Sequence, residues 1–332
     1  MRTRAVFHPI RGVGLVLALV LFSLVALQCR SASAAERPAP APGPARPLEL
    51  TLSTGIRTDD LDWSIAGNTA GANPNILSEL TWRDVESVYL KGSGRVHIAA
   101  GYWLRGSVDW GSIYSGSNQD SDFAGDDRTL EWSRSENNAG DGNLWDLSAA
   151  LESPGWRPAP WLTVTPLLGF SYHRQNLSIT DGLQTVSRPS INPKVAPLGP
   201  IAGLDSRYSA WWFGPWSGAE VRLSGGAVSI TGSFEYHYAY YRAEADWNLR
   251  TDLAHPVSFE HTAEGYGLVF SVGADYNFTS RLSAGLAADA HHWRATDGID
   301  RINSAVGGSS DTRLNEVNWS SYAVLAGITY TF

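Results

Sequence analysis

Apolar and polar residues alternate along this chain with the period of an extended strand. In the final stretch, SSYAVLAGITYTF, Tyr322, Val324, Ala326, Ile328, Tyr330 and Phe332 share one side, and Ala323, Leu325, Gly327, Thr329 and Thr331 share the other. The first side is apolar with aromatic ends, and the second is small and partly polar. That is the division between the lipid-facing and lumen-facing sides of a membrane-barrel strand. The same period predicts strands over 48–58, 77–91, 95–114, 143–153, 161–178, 206–224, 227–243, 257–276, 281–296 and 316–332. The fold class expected is all-β, a ten-stranded antiparallel transmembrane β-barrel.

The connections support this reading. Short turns are expected at Gly92-Ser93-Gly94, from Pro154 to Pro160, at Gly225-Gly226 and from Asn277 to Ser280. Long polar segments alternate with them, over 59–76, 115–142, 179–205, 244–256 and 297–315. Short periplasmic turns and long extracellular loops are the outer-membrane arrangement, with both termini on the periplasmic side. A ten-stranded barrel is narrow enough for side chains to fill much of its interior, which disfavours a general porin.

The N-terminus changes the compartment. Arg2, Arg4 and Arg11 precede an apolar run over 12–27, and Ala32-Ser33-Ala34-Ala35 follows, so residues 1–35 read as a signal peptide. Cys29, the only cysteine, falls inside it, and no disulfide is expected in the barrel. Residues 36–47 hold five prolines and read as a leader, which leaves 48–332 as the barrel domain. The whole chain has 33 acidic and 25 basic side chains, and removing the signal takes four arginines and no acid. That balance argues against nucleic acid and suits cationic peptides.

Composition then supplies candidate side chains. Trp63, Trp82, Trp103, Trp110, Trp211, Trp212, Trp216, Trp247, Trp293 and Trp319 lie where strands meet loops and are expected in an interfacial aromatic belt. Asp120 and Asp122 are two residues apart in a polar segment, so their carboxylates point to the same side. Two close carboxylates share a proton readily and can polarise a water. Two other readings stay open: a solvated acidic loop, and a calcium loop over 120–131 with Gly125 and Glu131 at the sixth and twelfth places.

In order along the chain, SELTWRDVESVYLKGSGRV, GSNQDSDF, LLGFSYHRQNLS, FEYHYAYYRAEADWN and LAGITYTF resemble the omptins, ten-stranded outer-membrane endopeptidases. The resemblance covers essentially all of 48–332. Omptins activate water between an Asp-x-Asp pair and an Asp-x-His pair, and cleave next to basic residues. The resemblance implies Asp120 and Asp122 as the first pair, and Asp246 with position 248 as the second, where Asn248 replaces the histidine. An amide can orient water but cannot take its proton near neutral pH, so a carboxylate would serve as base. His237 and His261 lie within predicted strands and read as wall residues, while Asp252 and His255, three apart, would face opposite ways in a strand.

The resemblance further implies Asp60 and Glu244 as the pocket for a basic substrate side chain, and Arg174 and Arg207 as contacts to an activating lipopolysaccharide. A third basic position is lost near Ala263. No metal and no other cofactor is expected. The expectation is thus a monomeric outer-membrane protein, its loops facing the cell exterior, that cleaves cationic peptides or exposed basic sites as an aspartic-type endopeptidase. The alternatives are an inactive barrel used as an adhesin or binding surface, with or without calcium, and a small diffusion channel.

Overall fold

The computed structural model describes residues 48–332; the signal and leader expected over 1–47 lie outside it. Thirteen strands follow in order: β1 (Leu48–Ile65), β2 (Ser78–Ala99), β3 (Tyr102–Gly125), β4 (Thr129–Asn138), β5 (Gly142–Glu152), β6 (Trp156–Ala159), β7 (Leu162–Ser187), β8 (Gly199–Pro200), β9 (Asp205–Gly225), β10 (Val228–Asp246), β11 (Phe259–Asn277), β12 (Leu282–Asn303) and β13 (Ser309–Thr331). β4 and β5 both sit between β3 and β7, and β6 and β8 are short additions to β7. The sheet therefore has ten wall positions. β1 pairs with both β2 and β13, which closes the antiparallel ring and leaves no barrel edge.

The period-two pattern sorts the wall. Along β13, Tyr322, Val324, Ile328, Tyr330 and Phe332 are exposed on the outside, whereas Ala323 and Leu325 are buried within. Their register partners on β1, such as Leu52 opposite Ile328 and Ile56 opposite Val324, are exposed too. An apolar outer band facing a mixed interior is what a bilayer selects, since lipid tolerates no unpaired backbone group.

Much of the chain expected to be long loop is strand, most of all over 115–142 and 297–315, whereas 247–258 is not. β3 runs on to Gly125 and turns back into β4; β1, β7, β10 and β12 likewise outrun their predicted ends. Beyond the apolar band both faces are polar, so the hydrophobic period disappears while the hydrogen-bonded ladder continues. Cross-strand ion pairs mark these extensions, among them Arg301 with Asp311 and Arg313 with Asp297. The first short turn is also displaced. Gly92, Ser93 and Gly94 lie inside β2, and the chain reverses at Ala100-Gly101, both at positive φ. A Cβ at Gly94 would stand 2.9 Å from the exposed end of the Leu50 side chain.

The tryptophans correct the belt expectation most strongly. Trp63, Trp82, Trp212, Trp216, Trp293 and Trp319 are buried in the lumen, and the exposed outer aromatics include Trp110, Trp145, Trp156 and Trp161 with several tyrosines and phenylalanines. Trp293 and Trp319 stack at 5.4 Å, Trp82 stacks on Tyr208 at 5.0 Å, and these rings join Leu61, Leu80, Leu144 and Leu314 in one plug across the barrel. On inward strand positions the rings have nowhere to go but the axis. Beneath the plug lies a charged layer in which Arg57 bonds Asp59 and Asp146, and Trp319 Nε1 donates to Asp59 at 2.8 Å. Below that, a cavity of about 440 Å³ reaches the short-turn end.

Candidate functional site at the long-loop end

Asp120 and Asp122 stand on the extended part of β3. Asp120 is opposite Leu80 of β2 and Ser135 of β4, and Asp122 is opposite Ser78 and Ser133. Paired residues point to the same face, and Leu80 belongs to the buried plug, so both carboxylates point inward above it. Burial, then the neighbouring carboxylate, pushes Asp120 well above the usual range. Burial pushes Asp122 up to about 6, against the pull of the Ser78 and Ser133 hydroxyls and of Arg250. One oxygen of Asp120 is buried without a hydrogen-bond partner. Two close, buried carboxylates favour sharing a proton, so the pair can act as donor as well as acceptor.

Arg250 is the cation that both carboxylates feel. It comes from the connection 247–258, and its guanidinium donates two bonds of 2.9 Å to Asp252, whose pKa this bonding lowers to about 2. No motif in the sequence singled out Arg250. The only local signal was an Arg and an Asp two apart in a proline-bearing loop.

The residues expected opposite the acid pair stand elsewhere. On β10, Tyr236, Tyr238 and Tyr240 are exposed and His237, Ala239, Tyr241, Ala243 and Ala245 are buried. Glu244 and Asp246 continue the outward series, and Asp246 pairs in register with Arg207, an exposed residue of the outer wall. Glu244 is bound by Arg242 at 2.5 Å, and Arg242 also reaches Glu260 at 3.2 Å. Asp60 is on the face that carries Leu50, Leu52 and Ile56, and accepts the Asp84 N–H at 2.8 Å. The strand register thus puts Asp60, Glu244 and Asp246 on the outside of the wall and only Asp120 and Asp122 on the inside.

Asn248 is occupied. Its Oδ1 accepts from Asp205 N and Ser206 Oγ, both at 3.0 Å, and its Nδ2 donates to Gly203 O at 2.7 Å. This amide ties two neighbouring connections together. A histidine does meet Asp246, however: His255 Nδ1 lies 2.6 Å from Asp246 Oδ1, both half exposed. The strand-spacing argument against His255 fails because 247–258 is not a strand.

The wall arginines are arranged differently from each other. Arg174 lies over the Trp211 ring at 5.1 Å and opposite Trp145 in register; Arg207 is exposed, 3.9 Å from Asp205. β7 and β9 are adjacent and Arg207 pairs with Ser178, so the two cations are four residues apart along the outer wall, or about 13 Å. Ala263 packs against the plug. In the segment 120–131, Asp126 and Asp127 bond Asn75, and Glu131 bonds Arg134. Among the described residues no group of three or more metal-ligating side chains converges.

The fold is similar to that of the outer membrane protease OmpT from Escherichia coli, with a TM-score of 0.73 at 12% identity over 88% of this chain and 99% of that one. Other barrels match less well, among them OprG from Pseudomonas aeruginosa (TM-score 0.35, 11% identity, 86% and 97% coverage) and the translocator domain of NalP from Neisseria meningitidis (0.34, 8%, 96% and 96%). No curated protein matches the chain. The OmpT likeness, at this identity, is a likeness of fold. A family model described as Protochlamydia outer membrane protein matches residues 51–332, nearly the whole barrel, and the chain belongs to that family.

Proposed function

We propose that this protein is an outer-membrane surface barrel that binds ligands at its long-loop end, facing the exterior, and does not hydrolyse peptides by the omptin arrangement. One observation carries the reading: Asp120 and Asp122 point into the barrel, whereas Asp246 pairs with exposed Arg207 on the outer wall. A water held by one pair is not shared with the other. The ligand class best suited is a cationic peptide, because the inward carboxylates already accept the field of one guanidinium, that of Arg250. Arg174 over Trp211, with Arg207 nearby, suits the phosphates of a lipopolysaccharide headgroup on the same outer wall.

The catalytic alternative rests on the Asp246–His255 contact, in which a carboxylate orients an imidazole as in many general bases. The channel alternative meets the aromatic plug. Refolded protein in lipopolysaccharide, given a fluorogenic peptide with an Arg-Arg centre beside Escherichia coli OmpT, separates the first two. Saturable binding without turnover is expected. Turnover lost in both Asp120→Ala and His255→Ala would sink the binding proposal in favour of a protease.

A further inference from the structure

A file of polar groups crosses the aromatic plug and has no part in the function above. The Tyr241 hydroxyl lies 2.6 Å from that of Tyr208, and the Tyr208 hydroxyl lies 2.9 Å from His261 Nδ1. His261 Nε2 in turn stands 3.2 Å from Asp300 Oδ1, and Thr312 Oγ1 donates to Asp300 Oδ2 at 2.9 Å. Tyr208, Tyr241, His261 and Asp300 are all buried, the most exposed of them at 2%. Phenylalanine at 208 and 241 would fill the same space without burying a hydroxyl, and buried polar groups are costly unless each is matched. Packing alone does not call for the file.

The geometry fixes where its protons sit. A carboxylate only accepts, so the proton of a neutral His261 faces Asp300 from Nε2 and leaves a lone pair on Nδ1. Tyr208 therefore donates to His261, and Tyr241 donates to Tyr208. A phenol surrenders an electron easily only when its proton leaves at the same time, because the phenol radical cation is a strong acid. Tyr208 has the acceptor for that proton in place, and Asp300 stabilises the imidazolium that results.

Oxidisable rings reach Tyr208 from both ends of the plug. Above it, half-buried Trp247 packs on Phe259 at 4.8 Å, Phe259 on Trp63 at 5.8 Å, and Trp63 on Tyr208 at 6.1 Å, centroid to centroid. Below it, Tyr241 meets Trp212 at 4.4 Å and Trp212 meets Trp293 at 5.9 Å. His237 then bridges Trp293 at 4.8 Å and Trp216 at 5.6 Å, and Trp216 lines the lower cavity. Electrons tunnel readily over such gaps, so no reactant has to enter the plug.

We propose that Tyr208 is a one-electron redox site, oxidised by peroxyl radicals at the long-loop end and reduced by an enediol in the lower cavity. The peroxyl radical gains one electron by way of Trp247 and Trp63, takes a proton from solvent and becomes a hydroperoxide. Tyr208 loses that electron, its hydroxyl proton passes to His261 Nδ1, and a neutral tyrosyl radical remains. The enediol returns an electron through Trp216, Trp293 and Trp212, releases one proton to solvent and is left as its radical anion, while His261 gives the proton back to Tyr208. The net change is one hydrogen atom moved from enediol to peroxyl radical.

The test uses the refolded barrel with a ruthenium tris-bipyridine photosensitiser on Leu249→Cys, an exposed site two residues from Trp247, since 48–332 holds no cysteine. Laser flashes with an electron-accepting quencher generate the oxidant, and electron paramagnetic resonance with transient absorption reads the radicals. A tyrosyl signal is expected, smaller by about tenfold or more in Tyr208→Phe and unchanged in Tyr236→Phe on the outer wall. His261→Gln slows its rise about tenfold or more while tryptophan radicals still form. Ascorbate shortens the life of the signal, and does so less in Trp212→Phe. If Tyr208→Phe does not refold, His261→Gln decides. No tyrosyl signal, an undiminished one in Tyr208→Phe, or an unchanged rise in His261→Gln overturns the proposal.

Discussion

Asp246 and His255 meet at 2.6 Å although nine residues separate them, because the chain leaves β10 after Asp246 and doubles back before β11. The contact is exposed and therefore weak. It is nonetheless the feature that most resembles a catalytic pair, so it carries the first prediction.

His255→Ala is expected to change barrel stability by less than about 1 kcal/mol, as for exposed ion pairs, and to leave the binding of an Arg-Arg peptide unchanged. Urea unfolding followed by tryptophan emission checks the first part. Loss of peptide affinity above about tenfold would show that the pair belongs to the binding surface.

The acid pair gives a pH signature. Burial pushes Asp122 up to about 6 in the folded state, above the value of a free aspartate, and burial with the neighbouring carboxylate raises Asp120 as well. A folded carboxyl with a raised pKa binds more protons than the unfolded one, so stability falls as pH rises from about 4 through the folded pKa values. Arg250 opposes the shift, and Arg250→Ala is expected to raise both titrations. Carboxyl NMR titration of wild type and variant reads this directly; a downward move on removing Arg250 contradicts it.

Arg57 is buried with Asp59 and Asp146 beneath the plug. Removing one member leaves an uncompensated charge, and Arg57→Ala is expected to cost about 3–5 kcal/mol. Heat-dependent gel migration of the folded barrel measures it, and a shift too small to detect would mean that water screens the layer.

The plug should close the barrel to ions. Wild type in planar bilayers is expected to show no stepwise conductance, while Trp293→Ala with Trp319→Ala, which empties the stacked pair, opens steps and destabilises the fold by several kcal/mol, each large-to-small change costing about 3–5 kcal/mol. Wild-type steps of regular size would return the channel reading.

The sequence made the wall legible where lipid imposes a period. All ten wall positions, the outward face of β13 and three of the four short turns follow from alternation and turn residues. Two things were not legible. Beyond the bilayer the apolar face vanishes, so strand and loop look alike in composition, and the true reach of β3 was hidden. Tryptophan identity also does not reveal which face a strand presents, and Trp82, Trp212, Trp293 and Trp319 prove to be inside. The candidate site suffers from the same gap: a one-residue choice of face decides whether Glu244 and Asp246 meet the cleft, and only the register of β10 against β9 settles it.

The extension of the strands past the apolar band bears on survival as well as on shape. A protease needs a segment of several residues that can be drawn out and threaded through its own cleft. Most of the polar chain on that side is locked into ladders, and the turn 126–128 and the connection 304–308 are short. The stretches open to nicking reduce to 66–77, 188–204 and 247–258, and the last is pinned by Asn248 at one end and by the Asp246–His255 contact at the other. A surface so rich in polar sequence would be expected to be fragile, yet this one is built as a woven collar that offers a digestive enzyme little to hold.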